Sequence, residues 1–317
     1  MSFEAHLAFP CFGATAAVHV RAATELQGRR ATELARLHLL DAHRRLTRFD
    51  QKSELSRLNR DPRAEVPASP LVRRLAAAVR VAGERSGGLV DATLLDAIEA
   101  AGYTDSLGER SGKTPSQPVR ESGDRAAGRS NPAANWRRIQ VDERAGIVTR
   151  PPGLRIDGGG IVKGLLADLV AESLADSEAY AVDCCGDIRL GGVTGRPRTI
   201  RVEDPFGGGQ PVHELSLHEG AVATSGINRR SWLGPAGEAA HQILDPFSGR
   251  PAFTGLVQVT AVAPTALLAE VHAKAALLSG PERAAAWLPH GGITVSDQGE
   301  VSVVLERSPL AEPAAAA

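Results

Sequence analysis

The strongest candidate for a site of chemistry is the glycine-rich segment Asp157–Gly164, which follows a predicted strand and opens a predicted helix. Its three consecutive glycines, Gly158, Gly159 and Gly160, allow a ligand to approach the backbone closely. The helix that follows offers unpaired N–H groups and the positive end of its dipole, and Lys163 adds a full positive charge. These features suit a phosphate or pyrophosphate, although neither common phosphate-binding fingerprint is present. A glycine-rich turn with a purely structural role is the alternative.

Further polar loops follow predicted strands. Cys184–Arg189 and Arg201–Pro205 each end a strand in polar residues, and each alone is more typical of a turn than of a site. Ala223–Gly226 supplies two hydroxyl groups, and Asn228–Arg230 places cations directly after them. His241 precedes a short apolar strand, and a histidine beside a loop rich in hydroxyls and arginines is a candidate general base.

Hydrophobic periodicity predicts the elements that must position these loops. A strand is expected around Val18–Val20 and hairpins over residues 136–153 and 293–304. Helices are expected over Gly28–Leu46, Ser69–Ser86, Ile98–Gly102, Ile161–Leu174 and Thr265–Leu278. Strands that return through hairpins, with helices between them, favour an α+β fold over a doubly wound sheet.

Two segments lack this periodicity. Residues 104–134 are polar and rich in Gly, Ser and Pro, which predicts a flexible surface insertion. Residues 308–317 are rich in alanine and are predicted to be a disordered tail.

Composition and charge exclude several classes of protein. The chain has 317 residues with 36 basic and 37 acidic side chains, so its formal net charge of −1 predicts no nucleic-acid partner. The sequence contains no apolar run of about 18 residues, which predicts no membrane insertion. The N-terminus lacks the basic start and apolar run of a secretory signal, and no apolar run precedes Cys11, so a cytoplasmic location is expected. The three cysteines form neither a disulfide framework nor a zinc motif.

Eight motifs taken together resemble the FAD:protein FMN transferase family, known as the ApbE family. In chain order they are SELSRLN, GGLVDAT, DGGGIVKG, CCGDI, VEDP, AVATSG, HQILDPFSGRP and TALLAE. The resemblance runs from about residue 11 to 305, interrupted by the 104–134 segment. Each motif is weak alone, whereas eight in the family's order are specific. The resemblance implies one domain over residues 1–317, with T-fold-like mixed sheets, helices and an FAD cleft between two lobes.

The activity implied by the resemblance is transfer of FMN from FAD to a Ser or Thr hydroxyl of a flavin-acceptor protein, with release of AMP. A hydroxyl is a poor nucleophile and needs a base, and His241 matches the family's functional histidine. Charge builds up on the pyrophosphate as AMP leaves, so cations and backbone donors are needed there. The positions that match cofactor-binding residues of the family are Ser53, Glu54, Asp91, Gly158, Gly159, Gly160, Lys163, Asp168, Glu203, Thr224, Ser225 and His241.

The implied metal site is where this sequence departs from the family. Members usually hold Mg²⁺ with an aspartate, a threonine four residues later and a backbone carbonyl that corresponds to Val162. Here the two side-chain positions are Glu270 and Lys274. A glutamate can still bind Mg²⁺, but a lysine cannot and would repel it. A second departure is Cys184-Cys185, where the family has a glycine-containing turn.

Three alternatives follow for the metal positions. Lys274 serves catalysis as the pyrophosphate's counter-charge in place of the metal, or Mg²⁺ still binds through Glu270 and other oxygens. In the third alternative the two residues form an ordinary i,i+4 pair, and activity is weakened or lost. For the whole protein, an FAD-binding protein without transfer activity and an FAD pyrophosphatase giving FMN and AMP are the alternatives to the transferase.

Overall fold

Seventeen strands and six α-helices lie within the residues that the computed structural model describes, which are 2–104, 125–228, 230–233 and 238–306. The helices are α1 (Glu25–Leu46), α2 (Glu54–Arg60), α3 (Pro70–Arg85), α4 (Leu95–Ala100), α5 (Val162–Glu172) and α6 (Ala266–Ser279). The strands are β1 (Phe3–Cys11), β2 (Ala14–Ala22), β3 (Glu65–Pro67), β4 (Gln140–Asp142), β5 (Ile147–Thr149), β6 (Ala179–Cys184), β7 (Asp187–Gly191), β8 (Arg198–Val202), β9 (His213–Leu217), β10 (Gly220–Gly226), β11 (Ser231–Leu233), β12 (Ala239–His241), β13 (Leu244–Asp245), β14 (Arg250–Pro251), β15 (Leu256–Ala263), β16 (Gly292–Ser296) and β17 (Val301–Val304).

An eight-stranded antiparallel sheet forms the frame, in the order β1-β2-β6-β7-β10-β15-β16-β17. Strand β10 lies near its centre, where Thr224 stands opposite Thr260 of β15. Smaller sheets are formed by β3-β5-β4, β8-β9, β11-β12 and β13-β14. The predicted α+β class is therefore confirmed, because neighbouring strands return antiparallel rather than through parallel crossovers.

Helices α1, α5 and α6 cover the main sheet, where α1 contacts α5 and α5 contacts α6. Helix α1 packs on β1 and β2, α5 on β6 and β7, and α6 on β10 and β15. Because α6 also contacts α3 and α5, it is apolar around most of its circumference, as expected of a helix packed on several sides. None of the described helices is long and apolar enough to cross a membrane.

Local sequence explains where these helices begin. Thr24, Ser69 and Thr265 are the N-cap residues of α1, α3 and α6, and each side chain accepts a hydrogen bond from a backbone N–H of the first turn. The predicted inward face of α1 is buried as expected, with Ala35, Leu39, Ala42 and Leu46 all inside. The C-terminal hairpin is also confirmed, whereas strand β1 was not predicted and α4 lies slightly earlier than expected.

The predicted insertion at 104–134 falls largely on residues 105–124, which lie outside the described residues, as does the predicted tail at 308–317. Residues 125–134 are described and lie against the body of the protein. The amide of Ala126 donates to the Phe253 carbonyl (3.2 Å) and that of Gly128 to the Leu278 carbonyl (2.6 Å). The second part of this polar segment is thus hydrogen-bonded to the end of α6 and to the segment before β15.

Helices α5 and α6 approach each other unusually closely at Gly164. A Cβ atom there would lie 2.5 Å from the carbonyl oxygen of Ala266. On the next turn of α5, the Asp168 carboxylate accepts hydrogen bonds from the amides of Ala266 (2.8 Å) and Leu267 (2.9 Å) and so caps α6. The two helices are therefore held by backbone contact and by a cap that joins one helix to the other.

We expect Gly164→Ala to lower the free energy of unfolding by about 1–3 kcal/mol, because the added methyl group would force the two helices apart. Without that contact, alanine would stabilise a helical position by roughly 0.5–1 kcal/mol. Urea denaturation measures the difference. The control is Glu172→Ala at the exposed end of the same helix, expected to change stability by less than about 0.5 kcal/mol. A Gly164→Ala protein as stable as the wild type would contradict the close approach.

Candidate active site

A cavity of about 870 Å³ opens between the glycine segment, the centre of the main sheet and the loop after α1. Its volume lies within the roughly 300–1,000 Å³ of typical small-molecule sites. The predicted site residues that line it are Asp91, Gly158, Gly159, Gly160, Val162, Lys163, Glu203, Thr224, Ser225, Glu270 and Lys274. The fold therefore brings together polar residues from positions 91 to 274 at one cavity.

The glycine segment forms a tight 3₁₀ turn over Gly158–Gly160 directly before α5. The side chain of Asp157 accepts a hydrogen bond from the Gly159 amide (3.2 Å) and lies 3.5 Å from the Arg48 guanidinium. This turn leaves the first turn of α5 facing the cavity, with Val162 and Lys163 among its lining residues. A helix N-terminus beside a cation is suited to bind a phosphate group.

Lys163 is paired with a carboxylate that was not predicted as a site residue. Its Nζ lies 2.6 Å from Oδ2 of Asp187, which is completely buried. Burial alone would lower the pKa of Lys163, but attraction to Asp187 and Glu270 raises it above its ordinary value. Burial raises the pKa of Asp187 to about 7, and the charge of Lys163 opposes that rise. The neighbouring carboxyl groups therefore stabilise the protonated form of Lys163.

Glu270 and Lys274 lie beside this pair. One carboxylate oxygen of Glu270 accepts a hydrogen bond from the Gly164 amide (3.0 Å), and the other lies 3.6 Å from Nζ of Lys274. The same Nζ donates to the carbonyl oxygen of Gly160 (2.8 Å). We call Lys163, Asp187, Glu270 and Lys274 the ionic cluster, because two lysines and two carboxyl groups lie together at one side of the cavity.

Strands β10 and β15 contribute neutral polar groups. The hydroxyls of Thr224 and Thr260 are 2.8 Å apart, and the amide of the Gln258 side chain donates to the backbone carbonyl of Glu203 (2.9 Å). Asp91 enters the cavity from the loop after α3, and burial raises the pKa of its carboxyl group. Hydrogen-bonding groups thus line the cavity from the sheet as well as from the helices.

Two aromatic side chains that were not predicted as site residues, Phe49 and Tyr103, line the cavity. Phe49 contacts Tyr103 edge to face, with ring centroids 5.7 Å apart, and Tyr103 stacks on Trp232 at 5.1 Å. The Arg48 guanidinium lies 4.3 Å from the Phe49 ring centre and donates to the Tyr103 carbonyl (2.6 Å). Phe49 is 38% exposed. The only sequence signal was the adjacent Arg48-Phe49 pair before a polar turn, because the other rings come from distant positions.

Cys185 occupies a backbone conformation that usually requires glycine. Its φ is 59°, and its thiol donates to the carbonyl oxygen of Cys11 (3.1 Å) while the residue lines the cavity. A non-glycine residue at positive φ is uncommon. The sequence departure at Cys184-Cys185 therefore coincides with a strained turn at the cavity wall, and all three cysteines are free thiols.

Four predicted site residues do not line the cavity: three residues whose polar atoms bind other groups of the protein, and the buried His241. Ser53 caps α2 by accepting from the Ser56 amide (2.9 Å). Glu54 forms an ion pair with Arg45 (2.5 Å) and accepts the hydroxyl hydrogen of Ser69. Asp168 caps α6, as described above. The first two of these residues fix the segment after α1, so they act on the cavity only through the position of that segment.

His241 is completely buried behind the part of the wall formed by residues 242–244. Its Nδ1 accepts a hydrogen bond from the Ile243 amide (3.2 Å), and its ring meets Phe253 edge to face at 4.8 Å. Nε2 is buried with no hydrogen-bond partner among the described residues. Burial lowers the pKa of His241 to about 4, so the ring is neutral at pH 7. Its role as general base stays a prediction.

Comparisons with known proteins agree on one family. A family model described as the ApbE family matches residues 12–295. The FAD:protein FMN transferase of Haemophilus influenzae is 27% identical over 261 residues, which are 78% of this chain and 71% of that protein. The FAD:protein FMN transferase of Treponema pallidum is 31% identical over 173 residues, 47% of each chain.

Solved structures share the fold. The ApbE protein of Thermotoga maritima superposes with a TM-score of 0.75 at 23% identity, covering 96% of this chain and all of that one (100%). The flavinyl transferase ApbE of Pseudomonas stutzeri, in its apo form, gives a TM-score of 0.72 at 22% identity, covering 96% of both chains. At these identities the likeness establishes the fold alone.

The buried imidazole predicts a loss of stability in mild acid. The folded protein keeps His241 unprotonated down to about pH 4, whereas the unfolded chain takes up this proton near pH 6.5. Protonation of the unfolded chain therefore lowers the free energy of unfolding by about 2 kcal/mol at pH 5, and this loss disappears above about pH 7.

His241→Asn tests this expectation, because its side-chain oxygen can still accept from the Ile243 amide but does not titrate. Chemical denaturation at pH 7 and pH 5 should show that the variant loses about 2 kcal/mol less than the wild type over this interval. Equal losses in both proteins would show that His241 does not titrate as its burial predicts.

Proposed function

This chain belongs to the ApbE family, and from that premise we propose that it transfers the FMN half of FAD to a serine or threonine hydroxyl of an acceptor protein and releases AMP. The observation that carries the proposal is the composition of one cavity. The glycine turn, the start of α5 and Lys163 supply the donors and charge that a pyrophosphate requires. Phe49 in the same cavity offers a ring face for a planar ring of the cofactor.

The reaction exchanges the phosphoanhydride bond of FAD for a phosphoester bond to the acceptor. The acceptor oxygen forms a bond to the phosphorus of the FMN half, and the bond from that phosphorus to the bridging oxygen breaks. AMP leaves with the bridging oxygen, and the hydroxyl proton passes to a base. Negative charge gathers on the pyrophosphate oxygens as this bond breaks, where backbone N–H groups and fixed cations stabilise it without reorganisation.

His241 is the proposed base, and its position sets a condition on that role. Because Nδ1 accepts from the Ile243 amide, the neutral ring carries its own proton on Nε2. The ring has to give up the bond to Ile243 when the acceptor enters, whether it accepts the hydroxyl proton at Nδ1 or, after exchanging its tautomer, at Nε2. A neutral ring at pH 7 has the protonation state that a base needs.

Incubating the purified protein with FAD and a Ser/Thr acceptor domain tests the proposed function. AMP release and covalent flavin fluorescence on a denaturing gel are followed together. A fluorescent acceptor band with an equal amount of AMP is the expected result. AMP without an acceptor would indicate an FAD pyrophosphatase, and bound FAD without AMP across several acceptors would indicate an FAD-binding protein without transfer activity.

Replacing His241 should separate chemistry from cofactor binding. We expect both His241→Ala and His241→Asn to slow transfer by about a hundredfold or more, because neither can accept the hydroxyl proton. FAD affinity should change little, since His241 does not line the cavity. The asparagine variant keeps an acceptor for the Ile243 amide, so transfer at the wild-type rate by that variant would show a purely structural role.

Replacing Phe49 should weaken cofactor binding. We expect Phe49→Ala to lose about 1–2 kcal/mol of FAD binding, roughly a tenfold rise in Kd, because one stacking face is removed. Fluorescence titration measures the Kd. The control is Phe247→Ala, since Phe247 is similarly exposed (49%) but does not line the cavity. Equal effects of the two substitutions would argue against stacking on Phe49.

A further inference from the structure

We propose that the ammonium group of Lys274 takes the place of a divalent cation beside the cofactor's pyrophosphate, so that FAD binds without Mg²⁺. This inference rests on the proposed function, because it assumes that FAD is the ligand of the cavity. It concerns a fixed charge built into α6 rather than an ion taken up from solution.

The ammonium of Lys274 lies beside Glu270, the side chain at the family's aspartate position, and beside a backbone carbonyl of the glycine turn. Nζ of Lys274 donates to the Gly160 carbonyl at 2.8 Å and lies 3.6 Å from one oxygen of Glu270. The other Glu270 oxygen accepts from the Gly164 amide at 3.0 Å. Mg²⁺ requires near-octahedral oxygen ligands at about 2.0–2.1 Å and tolerates little distortion. The residues present therefore do not fit a magnesium ion.

The charged groups around Lys274 also argue against a bound magnesium ion. The second ammonium of the ionic cluster, Lys163, also faces the cavity. An ammonium group at the position of Lys274 would repel a divalent cation and attract a pyrophosphate oxygen instead.

Lys274 is less tightly paired with a carboxylate than Lys163 is. Nζ of Lys163 lies 2.6 Å from Asp187, whereas the carboxylate nearest to Lys274 is 3.6 Å away. An ammonium has three hydrogens, and one of those on Lys274 is used by the Gly160 carbonyl. Because the side chain keeps 17% of its surface exposed and lines the cavity, a remaining hydrogen can reach a ligand oxygen. Lysine is a common point-charge ligand of phosphates.

The stem of the Lys274 side chain packs against the glycine turn. A Cβ atom at Gly160 would lie 3.4 Å from Cε of Lys274, so the lysine stem packs directly against the turn. A surface i,i+4 pair would show neither this packing nor a backbone acceptor from a distant segment. Lys274 therefore joins α6 to the turn that would hold the pyrophosphate, which distinguishes it from an ordinary helix ion pair.

The test is FAD affinity, measured by fluorescence titration in EDTA and in millimolar MgCl₂. The wild type should bind FAD equally well in both. Lys274→Met should weaken binding by about tenfold to a hundredfold in both, because the charge is lost and no ligand replaces it. Lys274→Thr should bind as weakly in EDTA but regain affinity in MgCl₂. The control Lys52→Met removes an exposed lysine outside the cavity and should bind like the wild type.

Direct detection of the metal completes the experiment. Mn²⁺ serves as a paramagnetic probe, and wild-type protein with FAD should hold no stoichiometric Mn²⁺, whereas Lys274→Thr should. Thermal melts of each variant establish that it is folded. Wild-type binding that requires Mg²⁺, or an unchanged Kd in Lys274→Met, would overturn the proposal. Wild-type FAD binding in EDTA, with no AMP released after Ser/Thr acceptor domains are added, would refute the transferase and leave the role of Lys274 standing, whereas no FAD binding in either buffer would refute both.

Discussion

The candidate site depends on how closely the first turn of α5 lies against α6. Gly164 has no side chain where the carbonyl of Ala266 approaches it, and the Gly164 amide donates to Glu270. Lys163 immediately precedes this glycine, and Lys274 lies one turn after Glu270. The contact between two backbones therefore brings both ammonium groups to one side of the cavity, which longer side chains at the interface would prevent.

Burying four charged groups together is costly unless each is compensated. In the ionic cluster the compensation is uneven, since Lys163 and Asp187 form a tight pair and Lys274 is held mainly by a backbone carbonyl. Such an arrangement is close to neutral overall and still leaves positive charge facing the cavity. It suits an anionic ligand better than a tightly paired cluster would, because a fully neutralised cation gains little from a phosphate.

Binding and transfer make different demands on this fold. The groups suited to hold a nucleotide are already at the cavity surface, on the glycine turn, the central strands and the loop that carries Phe49. The proposed base is completely buried and keeps a backbone hydrogen bond. If the chain transfers FMN as proposed, the acceptor's arrival has to change the segment around His241, whereas cofactor binding does not.

The sequence by itself determined the α+β class, most of the helices and the position of the glycine turn before α5, because caps, apolar spacing and glycine turns are local features. Only the tertiary structure decided which polar residues face the cavity. Ser53 and Asp168 belong to the right motifs, yet their oxygens cap helices. Phe49 and Tyr103 are distant in the sequence but in contact, and Lys163 of α5 forms an ion pair with Asp187 of β7. Contacts between remote segments leave no periodic or local pattern, so the sequence could name the chemistry of this site but not its full set of residues.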